Sequence, residues 1–152
     1  PFWAMLPLRG RGAEHYTPRG GAGQPRGAPG KITPPQDFSS DPVRMHLHDE
    51  WMAGNPALQA GDPTYGWALH AARAMMALRR RGALEAIKTP ILIFTAGQEK
   101  IISNKAVFEA AARLPAACRC HIPAARHEIW MEHADLRRPA LRESLNFFRA
   151  NL

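Results

Sequence analysis

The chain has 152 residues, enough for about one domain with a hydrophobic core, and 45% hydrophobic with 22% charged residues is ordinary for a globular protein. No stretch approaches the roughly 18 consecutive apolar residues of a membrane-spanning helix. The net charge of +7 is compatible with nucleic acid, an anionic membrane surface or an acidic substrate as partner, and equally with a solvated basic loop.

The first 36 residues differ from the rest in composition. They hold seven of the 14 prolines and seven of the 12 glycines, and they carry +4 of the net charge. We expect irregular backbone from Arg9 to Gln36. Residues 1–8 are apolar and lack a helix cap, which favours the end of a strand leading into a lid. Pro1 is not a natural start, so we expect further sequence upstream of it.

Two helices are predicted in the middle of the chain. Asp41 before Pro42 is a helix-start signal, and this helix should run to about Met52. The second helix is expected over residues 64–81 and should be closed by Gly82. Its apolar residues fall on one stripe of period 3.6 and are predicted to be buried: Trp67, Ala71, Ala74, Met75 and Leu78.

The end of the chain has a strand–helix–strand–helix pattern. Runs at 91–94 and 118–122 predict parallel strands, joined by a helix at 104–114 through a right-handed crossover. An amphipathic segment follows at 132–152, in which Pro139 should delay or kink the helix. Its predicted buried stripe is Leu136, Leu141, Leu145, Phe148 and Leu152. Because two strands alone do not make a stable parallel sheet, we expect these elements to belong to a larger α/β sheet.

A carboxylate and an imidazole follow the two predicted strands. Glu99 lies just past the first strand, and His127 lies just past the second. In a parallel α/β sheet, ligands and chemistry collect at the carboxyl ends of the strands, so these two loops should bring the side chains together. An acid beside a histidine is the acid–base half of a nucleophilic hydrolase site.

A zinc site is the alternative use of the titratable residues in this region, which include Cys118, Cys120, His121, His127 and His133. A strand would place the two cysteines about 6.6 Å apart on one face, which is poor geometry for a mutual disulfide. The C-x-C spacing also lacks the C-x₂-C knuckle and the second cysteine pair of structural zinc sites. We therefore predict two buried, reduced cysteines in an intracellular protein, with no metal and no cofactor.

Three short segments form motifs: GDPTYGW at residues 61–67, AGQEKII at 96–102 and ARHEI at 125–129. They resemble the GxPTxxW cap element, the acid loop and the histidine loop of the bacterial lysophospholipases. These enzymes are relatives of the monoacylglycerol lipases and of the serine aminopeptidase-like hydrolases in the α/β-hydrolase superfamily. Pro1-Phe2-Trp3 is similar to the segment that follows the strand after the family's nucleophile helix.

The resemblance implies the C-terminal part of an α/β-hydrolase, a parallel βαβα tail preceded by helical cap segments. Residues 1–40 would be an irregular Pro/Gly-rich basic cap segment, 41–88 a helical cap or connector, and 89–152 the C-terminal part of the hydrolase core. In this family the cap lies over the acyl site, so the large apolar residues of the second helix would either pack in the core or line a lipid channel. The candidates are Trp67, Met75 and Met76, and their helical spacing favours the core.

The resemblance also implies a serine ester hydrolase of lipid metabolism, acting on lysophospholipids or monoacylglycerols. His127 would be the general base and Glu99 would fix its tautomer, although the family usually has Asp at the acid position. Glu128 and Glu132 are alternative supports for the histidine loop, and Glu128 is more simply a carboxylate at a helix N-terminus.

The nucleophile of this family lies in a G-x-S-x-G elbow. The serines of this chain have no such context: Ser39, Ser40, Ser103 and Ser144. The order serine, acid, histidine places the nucleophile before Pro1, together with the oxyanion-hole amides. We therefore expect the chain to be an incomplete fragment that is inactive by itself.

Two alternatives stay open. The enzyme could be a peptidase or small-ester hydrolase on the same fold, because a fold does not fix a function. In another class, the chain could be a non-catalytic basic protein whose head contacts nucleic acid or an acidic membrane. Tyr16 is the one aromatic residue in 9–36, which argues against base stacking, so no nucleic-acid partner is expected. We expect a cytoplasmic protein with a lipid-like ester substrate and peripheral contact with the anionic inner membrane.

Overall fold

The structure, a computed structural model, describes residues 12–18, 20–21, 35–58 and 60–152. The predictions for residues 1–11 and 22–34 lie outside this part of the chain. The helices are α1 (Pro35–Phe38), α2 (Pro42–Gly54), α3 (Tyr65–Arg79), α4 (Asn104–Arg113) and α5 (Ala134–Asn151), and the strands are β1 (Ile91–Ala96) and β2 (Ala117–Ile122). Short 3-10 turns lie at Pro56–Leu58 and Ile129–Met131. The chain divides into two compact units, one of residues 1–32 and 49–80 and the other of residues 33–48 and 81–152.

The second unit is built on the two strands, which are parallel. β1 and β2 pair in register from Ile91 opposite Ala117 to Ala96 opposite Ile122. α4 forms the crossover between them, and the hydroxyl of Ser103 caps its first turn. The predicted strand–helix–strand–helix order is confirmed, and both strands extend slightly beyond their predicted bounds.

A small apolar core lies where the sheet, the 3-10 turn at 129–131 and α5 meet. Its buried members are Ala96, Ile122, Ala125, Ile129 and Ala140, with Phe94, Cys120 and Leu136 packed against them. The last residue of each strand therefore belongs to the core. The positions at which the two following loops begin are fixed by this packing.

The buried stripe predicted on α5 is wrong for four of its five residues. Leu136 packs against the core, but the others are exposed: Leu141, Leu145, Phe148 and Leu152. α5 contacts mainly two short strands and one 3-10 turn, so the face that carries Ala140 is the one that is buried. The helix starts at Ala134 and passes through Pro139, so the predicted delay of its start is also wrong.

The start of α2 is as predicted. Asp41 accepts hydrogen bonds from the amides of Val43 at 3.0 Å and Arg44 at 3.1 Å, and Pro42 is the first helical residue. Irregular backbone was predicted as far as residue 36. The prediction is wrong for residues 35 and 36, because α1 begins at Pro35.

In the first unit, described residues before position 22 pack along the segment that opens α3. The hydrogen bonds that join them include those from Tyr65 N to His15 O (2.9 Å), from Thr17 N to Pro63 O (2.9 Å) and from Gly21 N to Asp62 Oδ2 (3.0 Å). Thr64 caps the helix by accepting a hydrogen bond from Trp67 N at 3.1 Å. The GDPTYGW motif is thus the capped start of a helix, and the described residues before position 22 are hydrogen-bonded to it.

The buried stripe predicted on α3 is wrong for its largest members. Leu69 is the buried residue of this helix, whereas Trp67, Met75 and Leu78 are 62%, 61% and 49% exposed. Helical spacing identifies an apolar face, but it does not say whether another element covers that face. None of the helices given above is both long and apolar enough to cross a bilayer.

Candidate active site

The carboxyl ends of β1 and β2 lie side by side and continue their pairing into the loops. Gly97 N donates to Ile122 O at 2.9 Å, and Gln98 N donates to Ala125 O at 2.9 Å. Backbone hydrogen bonds therefore join the acid loop after β1 to the histidine loop after β2. These bonds precede Glu99 and His127 in the two loops.

Gly97 lies directly against the backbone of the histidine loop. A Cβ built on it would lie 2.1 Å from the carbonyl oxygen of Pro123 and 2.7 Å from its Cα and carbonyl carbon. No side chain fits against a neighbouring backbone at that distance, so only glycine permits this contact.

Glu99 and His127 form a hydrogen bond across the two loops. His127 Nδ1 lies 2.8 Å from Glu99 Oε2, and the side chains are 29% and 4% exposed respectively. An ionised carboxylate can only accept, so Nδ1 carries the shared proton. In the neutral imidazole this leaves Nε2 as the nitrogen that can accept a proton from another group.

The second oxygen of Glu99 is also bound. Oε1 accepts hydrogen bonds from the amides of Ile101 at 2.7 Å and Ile102 at 3.2 Å. Burial disfavours the charged form of Glu99, but these two amides and the His127 ring together outweigh it and hold the pKa of the carboxyl below its ordinary value of 4.5. The acid is therefore ionised at neutral pH and fixed at both oxygens.

A cavity of about 290 Å³ adjoins the imidazole. Its lining is mainly apolar and consists of Phe94, His127, Glu128, Ile129, Trp130 and Met131. Phe94 and Trp130 meet edge to face with ring centroids 5.3 Å apart. A space of this composition suits the apolar part of a ligand whose polar group lies at the histidine.

Glu132 is a buried carboxylate of this region. From the sequence alone, Glu132 and Glu128 were alternative candidates for supporting the histidine loop. Glu132 has no exposed surface and accepts hydrogen bonds from the amides of Arg126 at 2.7 Å and Ser40 at 3.0 Å. Glu128 lies at the N-terminus of the 3-10 turn, as predicted, and its side chain makes no capping hydrogen bond there.

The cysteines are not both buried, which corrects the prediction. Cys118 is exposed and Cys120 half-buried, and both are free thiols. Burial, together with the charge of Glu143, raises the pKa of the Cys120 thiol. Among the residues that the structure describes, no three His, Cys, Asp or Glu side chains are grouped as metal ligands.

The hydroxyls of three serines have structural partners. Ser39 Oγ donates to Met131 O at 2.7 Å, Ser40 Oγ donates to Glu132, and Ser103 Oγ caps α4. The fourth, Ser144, lies in α5. The described contacts thus assign these three hydroxyls to packing and capping.

Comparison with known proteins identifies the family of the chain. The family model described as "Serine aminopeptidase, S33" matches residues 20–134. The chain is similar to a probable lysophospholipase L2 of Haemophilus influenzae, with 37% identity over 107 residues, which are 70% of this chain and 33% of that protein. The chain therefore spans about a third of the length of this relative.

A solved structure is similar in fold. It is a soluble variant of the monoglyceride lipase of Saccharomyces cerevisiae in complex with a substrate analogue, and the match covers 78% of this chain and 42% of that one with a TM-score of 0.63. The sequence identity is 12%, so this likeness concerns the fold alone. The predicted α/β class is confirmed. Because the family model matches well over half of the chain, the chain belongs to the serine aminopeptidase S33 family and is a lysophospholipase-like protein of the α/β-hydrolase fold.

Proposed function

We propose that the natural protein is a serine ester hydrolase of the lysophospholipase or monoacylglycerol lipase kind, to which this chain contributes the acid and the histidine of the triad. The observation that carries the proposal is the hydrogen bond between Glu99 and His127 at the carboxyl ends of two parallel strands. An acid that orients the imidazole through Nδ1 and leaves Nε2 for the nucleophile is the arrangement that triads share.

In this mechanism, Nε2 of His127 takes the proton of a serine hydroxyl as the serine oxygen bonds to the ester carbonyl carbon. Glu99 stays ionised and stabilises the imidazolium. The imidazolium then gives its proton to the departing alcohol as the ester C–O bond breaks, and water repeats the sequence on the acyl-enzyme. We propose that the serine lies in a G-x-S-x-G elbow upstream of Pro1, and that the 152 residues alone are inactive.

The substrate class is suggested by the surroundings of the histidine and by the relatives. The matched proteins are named as a lysophospholipase and a monoglyceride lipase. The cavity beside His127, with Phe94 and Trp130 in its wall, would accept part of an acyl chain or a glyceride. A single-chain lipid ester is therefore the proposed substrate.

The test uses the full natural protein with monoacylglycerol and lysophospholipid substrates. We expect hydrolysis of at least one of them, and His127→Ala should lower kcat by at least roughly 10⁴-fold. His70→Ala is the matched control, because His70 is an exposed histidine on α3, and it should leave kcat unchanged.

A fluorophosphonate probe tests the nucleophile separately. It should label one serine upstream of Pro1 in the full protein and should leave the 152-residue chain unlabelled. Ester hydrolysis by the 152 residues alone that depends on His127 would contradict the proposed upstream nucleophile.

A peptidase is the second candidate, favoured by the description of the matching family as a serine aminopeptidase. The same Glu99–His127 pair would serve amide hydrolysis, with a leaving amine in place of the alcohol. Aminoacyl anilides tested beside the lipid esters separate the two, and a higher kcat/KM for the anilides would replace the lipase proposal.

We also propose peripheral contact with an anionic membrane through the cap residues. The exposed residues of α3 include Trp67, Met75 and Met76, and Arg79 to Arg81 lie at its end. Apolar and basic side chains exposed together are typical of helices that lie on a lipid surface. The division into cap segments 1–40 and 41–88 and a core segment 89–152 stays part of this proposal.

A further inference from the structure

The buried carboxylate of Glu132 is bound by three donors. Oε1 accepts the hydrogen bond from Arg126 N (2.7 Å), and Oε2 accepts hydrogen bonds from both the amide (3.0 Å) and the hydroxyl of Ser40. Removing a charged group from water is costly unless hydrogen bonds replace the lost solvent, and here each oxygen has a donor from the protein. Glu132 therefore fixes the relative position of the two residues that bind it.

One of these two residues lies in the histidine loop, and the other lies in a segment that is distant in sequence. Arg126 directly precedes His127, and Ser40 belongs to residues 36–41, which we call the brace. The brace runs from α1 to the cap of α2 and lies in the same compact unit as the histidine loop. Glu132 thus links the histidine loop to a separate part of the chain.

The brace contacts the histidine loop at further points on both sides of the imidazole. Phe38 O accepts a hydrogen bond from Glu128 N at 2.7 Å, and the guanidinium of Arg126 donates to Ser39 O at 3.1 Å. The ring of Phe38 lies edge-on to that of His127 with centroids 6.0 Å apart. A shift of the brace would therefore move the surroundings of the imidazole.

The brace is also tied to the acid loop. Lys100, the neighbour of Glu99, donates to the carboxylate of Asp37 at 3.0 Å. Both loops that present the acid–histidine pair are thus fastened to the same six residues.

We propose that Glu132 is a positioning residue for His127, which holds the histidine loop against the brace so that the imidazole keeps its hydrogen bond to Glu99. It acts through the amide of Arg126 and through Ser40. The inference rests on the proposed function only in taking His127 as the catalytic base, because the geometry that Glu132 fixes is measurable without any turnover.

The chemistry of the three donors requires a carboxylate. A glutamine at position 132 would keep one acceptor oxygen and turn the other position into an NH₂ donor. That NH₂ group would face the backbone amide of either Arg126 or Ser40, which can only donate. A donor facing a donor in a buried site leaves both without a partner. Glu132→Gln therefore breaks the link while preserving the size and shape of the side chain.

The experiment tracks the Nδ1-bound proton of His127 by NMR in the full natural protein labelled with ¹⁵N-histidine. The resonance is assigned by its loss in His127→Ala. We expect it downfield in the unchanged protein, and broadened or lost in Glu132→Gln. Ser40→Ala removes one of the three donors and should weaken the signal without abolishing it.

Glu85→Gln is the matched control. It also neutralises a carboxylate of the same compact unit that is bound by two hydrogen bonds, but those come from Arg113 at the end of α4. It should leave the His127 resonance unchanged. Circular dichroism and thermal unfolding establish that each variant is folded.

A downfield resonance that is unchanged in folded Glu132→Gln would overturn the inference, as would an equal loss in Glu85→Gln. In an active enzyme, Glu132→Gln should lower kcat roughly 100-fold with little change in KM, since small displacements of a catalytic group act on the chemical step. If the full protein hydrolyses no ester while the resonance still depends on Glu132, the proposed function fails and the positioning role stands.

Discussion

Glu99 differs from a simple orienting acid in that both of its oxygens are occupied. Oε2 binds His127, and Oε1 binds the amides of Ile101 and Ile102, which belong to its own loop. The longer side chain of glutamate, compared with aspartate, reaches across to the histidine while it still closes this turn. The same carboxylate therefore shapes the acid loop and orients the imidazole.

The ionisation of Glu99 should reflect these contacts. Because its pKa lies below the ordinary value of 4.5, the stabilisation from its ionised form is complete above about pH 4.5 and is lost as the pH falls through the lower folded value. A ¹³C titration of the Glu99 carboxyl should give a midpoint below 4.5. His127→Ala should raise that midpoint, because it removes one of the contacts that favour the charged form.

The control for this titration is again His70→Ala, which should not move the Glu99 midpoint. A midpoint at or above 4.5 in the unchanged protein would mean that burial outweighs the hydrogen bonds of Glu99.

The sequence was informative for Glu99 and His127 because each comes just after a strand, and parallel strands present their carboxyl ends at one edge. It could not separate Glu132 from Glu128, since one partner of Glu132 is Ser40, 92 residues away, and no local pattern encodes that contact. The sequence before α2 held a weak signal for the contact with Glu132. Asp41 alone suffices as the cap of α2, so capping does not explain the hydroxyls of the two serines before it.

At the scale of elements, the two loops depend on the absence of a side chain at Gly97. Gly97→Ala would place a Cβ 2.1 Å from Pro123 O, so the loops must separate. We expect a loss of about 1–3 kcal/mol in the free energy of unfolding, which is typical of overpacking. Hydrolysis should fall as well, roughly 100-fold for a displacement near 1 Å.

Urea unfolding and ester kinetics on the full protein check this prediction. Gly54→Ala is the control, because a Cβ at Gly54 meets no atom within 4 Å. Equal effects of the two substitutions would show that the contact with Pro123 is unimportant.

Glu85 and Arg113 join the turn before β1 to the last turn of α4. Arg113 donates to both carboxylate oxygens, at 2.9 and 3.0 Å, and these hydrogen bonds are the largest cause of a pKa of Glu85 lowered to about 2, to which the charge of Arg113 and backbone amides also contribute. A depressed pKa stabilises the fold above the unfolded value and loses that contribution as the pH falls through the folded value. Glu85→Gln should therefore destabilise the protein at pH 7, and its difference from the unchanged protein should shrink from pH 4.5 towards pH 2.

Urea unfolding across this pH range measures the difference. Glu109→Gln is the control, because Glu109 makes a longer contact of 3.9 Å to Lys105 on the exposed side of α4. A constant effect of Glu85→Gln at all pH values would show that its charge is not what stabilises the fold.

Element boundaries could be predicted from the sequence more closely than burial could. Asp41, Thr64 and Ser103 each cap a helix through hydrogen bonds within three residues, so their effect is encoded locally. Burial depends on which other elements are near, and the apolar stripes of α3 and α5 remain largely exposed for that reason. Periodicity therefore predicted these helices but not the surfaces that would cover them.

At the scale of the whole molecule, α3 is a helix on which exposed apolar residues are followed by basic residues. The chain carries a net charge of +7, and Arg79 and Arg81 are exposed at the end of the helix whose apolar face presents Trp67 and Met75. In the proposed membrane contact, the basic residues would attract the protein to anionic headgroups and the apolar side chains would insert between them, so the two features would act at different depths of one lipid interface. A hydrolase of lipid esters would benefit from such contact, because its substrate lies in that interface.

Binding of the full protein to vesicles tests this surface. We expect binding to vesicles that contain anionic phospholipid, weaker binding to neutral ones, and loss of binding at high salt. Arg79→Ser with Arg81→Ser should weaken binding roughly 30-fold, from about 1 kcal/mol for each basic residue near the membrane. Arg138→Ser with Arg142→Ser removes the same charge from exposed positions of α5 and should have little effect. Equal weakening by both pairs would mean that net charge, and not the end of α3, attracts the protein to the lipid.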